Sequence, residues 1–236
     1  HLSRGSPLHA YRIETEKLEP EITASIPMFS NRDSQSRQMI PVPQGNMAAT
    51  SFTLTRRNFS GDLDFIAKRL PQGVTMIAPN APSNFTSIPV LFSASPDAPL
   101  GKTLSPFEIV HRNTDKNTTT TGHYKHRVDL VYGPPNNRTY YEGIYDVLPI
   151  AVVEPVPFRV KLHKPATPIV RGGSINLKVE VIRDANFTKD VVVKILTKPP
   201  GIGARSNIKI LAKDTIGYYP LTANGGTPIG EWELGV

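Results

Sequence analysis

His123 and His126 stand three residues apart, and imidazoles are the commonest metal ligands. On a helix that spacing would put both on one side, where they could grip zinc or copper. On a strand they point to opposite faces. The run Thr118 to Thr121 reads as part of a polar loop and His126 to Tyr132 as a strand, so no metal is expected here. Asp62 and Asp64 alternate on one strand face, but no second acid is indicated at the gap a glycosidase needs. Asn113, Asp115 and Asn117 have the alternation of an EF-hand calcium loop. Thr118 stands where that loop needs Gly, and no Glu closes it. The chain has no cysteine and no Gly-x-Ser-x-Gly elbow, so no thiol or serine nucleophile can be nominated. The expectation is a protein that is not an enzyme, with no catalytic residue, cofactor or metal ligand.

Two other groups of residues could meet ligands or modifications. Tyr124, Tyr132, Tyr140, Tyr141 and Tyr145 crowd one stretch. Cross-strand packing accounts for such a cluster. The chemical alternative is a platform for sugar rings, with Tyr140, Tyr141 and Tyr145 as the candidate glycan contacts. Asn58, Asn84, Asn117, Asn137 and Asn186 each begin an Asn-x-Ser/Thr acceptor. They are candidate glycosylation sites in a eukaryotic secreted chain and plain turn residues in a bacterial one. Thr118 to Thr121 are candidates for O-linked sugar. The net charge is +7 with a pI near 9.6, yet Lys and Arg are spread along the chain in runs no longer than two. That is a solvated surface with anionic polysaccharide as the partner its charge would suit. No nucleic-acid partner is expected.

The elements that must position these residues emerge from an internal repeat. Val42-Pro43-Gln44-Gly45 matches Ile169-Val170-Arg171-Gly172, at an offset of 127. Thr50, Phe52, Leu54 and Arg56 match Leu177, Val179, Val181 and Arg183. Asn58-Phe59-Ser60 matches Asn186-Phe187-Thr188, and Pro71-Gln72-Gly73-Val74 matches Pro199-Pro200-Gly201-Ile202, both at 128. Ala98-Pro99-Leu100-Gly101 matches Thr227-Pro228-Ile229-Gly230 at 129. Single-residue insertions belong in turns, so the blocks between them are expected to be strands. The 23 Pro and 17 Gly act as punctuation between short segments, the composition of an all-β protein. Phe52 and Leu54 face inward on one strand, and Leu63, Phe65 and Ala67 line another. Phe59 and Phe187 plug the ends of their sandwiches. No segment sustains a helical period.

The fold class expected is all-β, two tandem immunoglobulin-like β-sandwich domains. Residues 1–20 form an N-terminal strand and linker, the strand over residues 8–16, read as the end of a preceding domain. The first sandwich spans residues 21–154. The second spans residues 155–236 and lacks a closing strand, since nothing in it answers to residues 113–153. The linker Glu154-Pro155-Val156-Pro157 is held extended by its prolines. No apolar stretch approaches the ~20 residues that span a bilayer. The chain opens on His1 with no secretion signal and reads as a processed product or a piece of something longer. Absence of cysteine argues mildly against a eukaryotic secreted module.

These motifs resemble tandem immunoglobulin-like modules of bacterial surface proteins of the planctomycete type. The residues that carry the resemblance are Gln44-Gly45, Arg56-Arg57-Asn58-Phe59, Leu70-Pro71-Gln72-Gly73-Val74 and Ala94 to Gly101, repeated more loosely in the second copy. Arg4 to Ile13 is similar to the last strand of a pre-peptidase C-terminal domain, which often precedes such modules. The resemblance implies an extracellular or cell-surface location and a structural role, as spacer, adhesive or scaffold. Its partners would be neighbouring domains of a longer chain or identical subunits. Two alternatives stand beside that role. One is a carbohydrate-binding or adhesive module. The other is a subunit of a filament assembled by strand exchange, with residues 8–16 completing the second sandwich of the next subunit.

Overall fold

The computed structural model describes residues 13–27, 39–113, 115, 117–135 and 138–236. Among them there is no helix, and the fold is all-β, two successive immunoglobulin-like β-sandwiches. The first contains β1 (Glu21–Ser25), β2 (Ile40–Pro43), β3 (Met47–Arg57), β4 (Asp64–Ala67), β5 (Val74–Ile77), β6 (Ser87–Ala94), β7 (Gly101–Asn113), β8 (Thr118–Tyr124) and β11 (Val147–Val153). Their order in the sheet is β2-β11-β7-β8-β1-β3-β6-β5, with β4 on β7. A hairpin of β9 (His126–Gly133) and β10 (Arg138–Tyr145) forms a separate two-stranded sheet. The second sandwich packs β12 (Phe158–Leu162), β13 (Ser174–Arg183), β17 (Ile216–Ala223) and β15 (Ile202–Ala204) against β14 (Val191–Val193) and β16 (Ile208–Ile210).

Each sandwich closes on its own core. In the first, rings from different strands meet: Phe52 lies 5.5 Å from Phe107 and 5.8 Å from Tyr124, and Phe92 lies 6.3 Å from Phe107. All four are buried, and each such ring contributes about 2–3 kcal/mol of burial. In the second, Leu177, Val179 and Val181 of β13 meet Val191 and Val193 of β14 and Tyr219 and Leu221 of β17. β2 is an edge strand, as its two prolines require. Pro149 sits inside β11 at a point where only β7 is paired with it, since β2 covers Ile150 to Val153.

The expected strand over residues 8–16 is not formed in its described part. Residues 13–20 belong to no ladder, and Ile13 and Leu18 are left 88% and 74% exposed. Alternating side chains do not make a strand when no neighbour supplies hydrogen bonds. The rest of that segment, and the Arg4 to Arg12 part of the pre-peptidase resemblance, lie outside the described residues, as does the polar loop over Asn31 to Gln38.

The repeat has a physical basis in one side chain per copy. Arg56 donates from Nε to the Gly61 carbonyl (2.9 Å), from Nη1 to Phe85 (2.6 Å), and from Nη2 to Ala81 (2.9 Å) and Pro82 (3.0 Å). Arg183 donates from Nη1 to Asp214 (2.6 Å) and from Nη2 to Leu211 (3.0 Å), the carbonyls matching Phe85 and Pro82 one repeat on. Each guanidinium thus ties the segment entering the last shared strand to the strand that carries the arginine. Burial pulls the Arg56 pKa down, while nearby Asp62 opposes that shift.

The Pro-x-Gly corners recur as closely. Gly73 and Gly201 both have φ of +76°. Val74 N–H donates to Pro71 O and Ile202 N–H to Pro199 O, each at 3.1 Å. A Cβ on Gly73 would stand 2.8 Å from Ala98 Cβ, and one on Gly201 would stand 2.6 Å from Thr227 Oγ1. The Ala98/Thr227 match in the sequence is therefore a contact against these two glycines.

Two stability predictions follow from these bonds. Arg56→Met leaves four carbonyl contacts unmade, and should lower stability by about 2–3 kcal/mol in urea unfolding. Gly73→Ala combines a left-handed φ with a 2.8 Å clash and should cost at least about 1 kcal/mol, whereas alanine at the unhindered Gly101 should cost far less. Equal urea midpoints for the two glycine variants would refute this account of the corner.

Candidate functional site

The hairpin β9–β10 is the first module's addition to the shared plan, and it carries the candidate tyrosines. Its register runs from Arg138↔Gly133 to Tyr145↔His126 and is broken twice. Tyr140 is an extra residue on β10 and Leu130 an extra residue on β9, so the two bulges compensate. Between Tyr141 and Tyr145 the β10 backbone is regular, so Tyr141, Gly143 and Tyr145 share a face. The Tyr145 ring folds over Gly143, where a Cβ would stand 2.7 Å from it. Tyr141 and Tyr145 are thus about 13 Å apart along one face. Tyr140 is turned away, and its hydroxyl donates to the Pro135 carbonyl at 3.0 Å.

All three candidate tyrosines are exposed, as are Leu130, Val131 and Ile144. The structure therefore places Tyr141 and Tyr145 on one face, about 13 Å apart, and ties Tyr140 to the Pro135 carbonyl. The aliphatic members Leu130, Val131 and Ile144 were not singled out from the sequence. A strand alternating apolar and polar residues reads as having a buried face, and β10 has none, being exposed at every position except Gly143. The only signal available was that the hairpin has no counterpart in the second copy.

The histidines fall on two successive strands, His123 on β8, which includes the Thr118 to Thr121 run expected as a loop, and His126 on β9. His123 is exposed, while His126 is buried and stacks on Tyr124 with ring centroids 6.0 Å apart. Burial lowers the His126 pKa and raises that of Tyr124. His126 Nε2, Tyr124 Oη and Ser105 Oγ are buried without a hydrogen-bond partner among the described residues. No cluster of three metal-binding side chains is found among the described residues.

The other candidates are bound into the fold. Asp62 accepts the Ser83 N–H, and Asp64 accepts from Asn80 and pairs with Arg112. Asn58, at φ +62°, donates its side-chain amide to Glu19 O at 2.8 Å. Asn117 also has a positive φ, and it is exposed, like Asn84 and Asn186. Asn137 lies outside the described residues. Phe59 packs on His111 at 5.1 Å, and Phe187 stacks on Phe158 at 5.0 Å. Outside the hairpin, His163 Nε2 lies 2.7 Å from Glu180 Oε2 in a hydrogen bond, and Lys209 pairs with Asp190, both within the second sandwich.

No protein-family model matches the chain, and no curated protein matches it. Among solved structures, domains 5–6 of the S-layer protein SbsC are 17% identical, with 84% of this chain and 85% of that one covered, at a TM-score of 0.32. Domains 4–9 of SbsC, also 17% identical, cover 81% of this chain and 26% of that one at a TM-score of 0.29. The titin domains Z1Z2 in complex with telethonin are 10% identical, with 89% and 84% covered, at 0.24. Overlaps this loose assign no function.

The buried His126 should make stability depend on pH. Its folded pKa lies below the unfolded value, so the native state binds fewer protons than the unfolded chain in that window. Its contribution is present above the unfolded pKa of about 6.5 and is lost as pH falls towards the folded one. Thermal unfolding should show a drop in Tm between pH 7.5 and pH 5 that is reduced in His126→Gln. An undiminished drop in the variant would show that other groups carry it.

Proposed function

We propose that the chain is a non-enzymatic structural unit of an extracellular bacterial surface or fibre-forming protein. On this reading residues 21–154 and 155–236 are its two sandwich domains. Residues 1–20 lead into the first, and the partners are neighbouring domains or identical subunits. The observation that carries the reading is the reuse of polar chemistry. Both arginines of the repeat, and Asp62, Asp64 and Asn58, are bonded to the chain's own backbone or side chains. Such groups specify shape and leave little to meet a substrate.

The joint supports a spacing role. Residues 154–157 are exposed, but Asn46 donates from its side chain across the joint to Phe158 O at 2.9 Å. Gly235 approaches Pro89 so closely that a Cβ there would stand 2.9 Å from it. A proline-stiffened linker with contacts on two sides keeps the modules at a set angle. Residual dipolar couplings test this. Residues 39–113 and 158–236 should share one alignment tensor, and Asn46→Ala should divide it. Independent tensors in the unaltered protein would remove the spacer reading.

One observation favours a second reading, the glycan-binding one. Tyr141 and Tyr145 share an exposed face, with the Tyr145 ring laid over Gly143, and sugar rings stack on exposed aromatic rings. The net charge of +7 would suit an anionic polysaccharide. Glycan-array binding that falls with Tyr141→Ala and survives Tyr140→Phe would support it. An array without hits would remove it.

A further inference from the structure

Asn224 is followed by Gly225, and no other asparagine in the chain precedes a glycine. The two residues lie in the turn that leaves β17, where Thr227 N–H donates to Asn224 O at 3.1 Å. Asn224, Gly225 and Gly226 are all exposed. The Asn224 side-chain amide and the Gly225 N–H have no hydrogen-bond partner among the described residues. Apart from its chain neighbours, no atom stands within 4 Å of where a Gly225 Cβ would be, so this peptide unit is open and free to turn. Asparagine is among the thermolabile residues, and a following glycine offers its nitrogen the least hindrance to the side-chain carbonyl.

The repeat supplies the contrast. Ser95-Pro96-Asp97-Ala98 is the matching turn, closed by Ala98 N–H to Ser95 O, also at 3.1 Å. Ser95 N–H donates to Gly73 O as Asn224 N–H donates to Gly201 O. Serine has no amide to lose, and proline no N–H to attack with. Pro96 and Asp97 stay exposed although a whole sandwich follows them, so exposure of this turn does not depend on what comes after it. The other asparagines are worse placed. Asn46, Asn58 and Asn80 hold their side chains in hydrogen bonds, and Asn84 and Asn186 each precede a phenylalanine.

We propose that Asn224-Gly225 is a site of spontaneous modification, converting to aspartate and isoaspartate in the folded protein. Gly225 N attacks Asn224 Cγ and gives up its proton. The new N–Cγ bond closes a succinimide ring as the Cγ–Nδ2 bond breaks, and ammonia leaves with that proton. Water then opens the ring. Cleavage at Cγ gives aspartate, and cleavage at the main-chain carbonyl gives isoaspartate, whose chain runs through Cγ. One water is taken up and one ammonia released. Either product exchanges a neutral amide for a carboxylate. Isoaspartate also adds a methylene to the main chain and displaces the carbonyl that holds the Thr227 N–H. Thr227 Oγ1 donates to Gly201 O at 3.0 Å, and Thr227 O accepts from Arg171 Nε at 2.7 Å. The change therefore loosens the Pro-x-Gly corner of the second sandwich and leaves that of the first intact.

The test holds the whole folded chain at mildly alkaline pH and maps its peptides by mass. Asn224 is the only amide side chain between Lys213 and Val236, so a gain of O for NH in that stretch reports on it alone. Conversion there should outrun conversion at the exposed Asn84 and Asn186, and its rate should rise in proportion to hydroxide. Gly225→Pro copies Pro96 and should keep the turn while abolishing the change. In the isoaspartate fraction the Thr227 amide should lose its protection from hydrogen exchange, while the Ala98 amide keeps its own. An Asn224 still intact when a free peptide of Thr222 to Thr227 has fully converted would overturn the proposal. So would an unaltered rate in Gly225→Pro, or conversion at Asn84 as fast as at Asn224.

Discussion

The structure depends on a guanidinium bonded to backbone carbonyls, once in each sandwich. A carbonyl partly buried in a turn loses water and costs free energy unless a donor replaces it, as at Arg56. The matching bonds of Arg183 to Asp214 and Leu211 are exposed. Arg56 supplies several donors in a fixed planar fork, and Arg183 supplies the same fork one repeat later. Because each fork reaches from β3 or β13 to the segment leading into β6 or β17, it joins parts of the chain 25 to 31 residues apart. The apolar rows of those strands then meet as one core. Lysine would offer charge without the fork.

The same constraint explains why the two copies resemble each other at turns more than in cores. Gly73 and Gly201 share a left-handed φ and a close neighbour, so glycine is required at both. The core residues obey only volume and polarity. Phe52 is matched by Val179 and Phe92 by Leu221, while the aromatic Phe107 and Tyr124 come from strands that the second sandwich does not show. The first core is therefore built around rings, and the second around smaller side chains and the stacked pair Phe158–Phe187.

Much of this was legible in the sequence, and what was missed has physical causes. The absence of helix among the described residues, the strand character of the repeated blocks and the Pro-x-Gly corners follow from alternation and turn chemistry, both local properties. Arg56 and Arg183 were visible as a match, but their carbonyl partners were not, since every carbonyl looks alike in a sequence. The strand expected over residues 8–16 does not extend through residues 13–16, because a ladder needs a neighbour that alternation cannot report. The candidate site was legible in part. Composition pointed to Tyr140, Tyr141 and Tyr145, yet the bulge that turns Tyr140 away depends on cross-strand register. Leu130 and Ile144 were missed because exposure on both faces of a hairpin leaves no trace in its pattern.

The central claim is that each copy folds around its own core and its own arginine. Native-state hydrogen exchange under rising urea, followed residue by residue, tests it most directly. The account predicts two blocks of amides, divided between Val153 and Phe158, that open at different urea concentrations. One block of amides running through that boundary, opening together at every urea concentration, would contradict it.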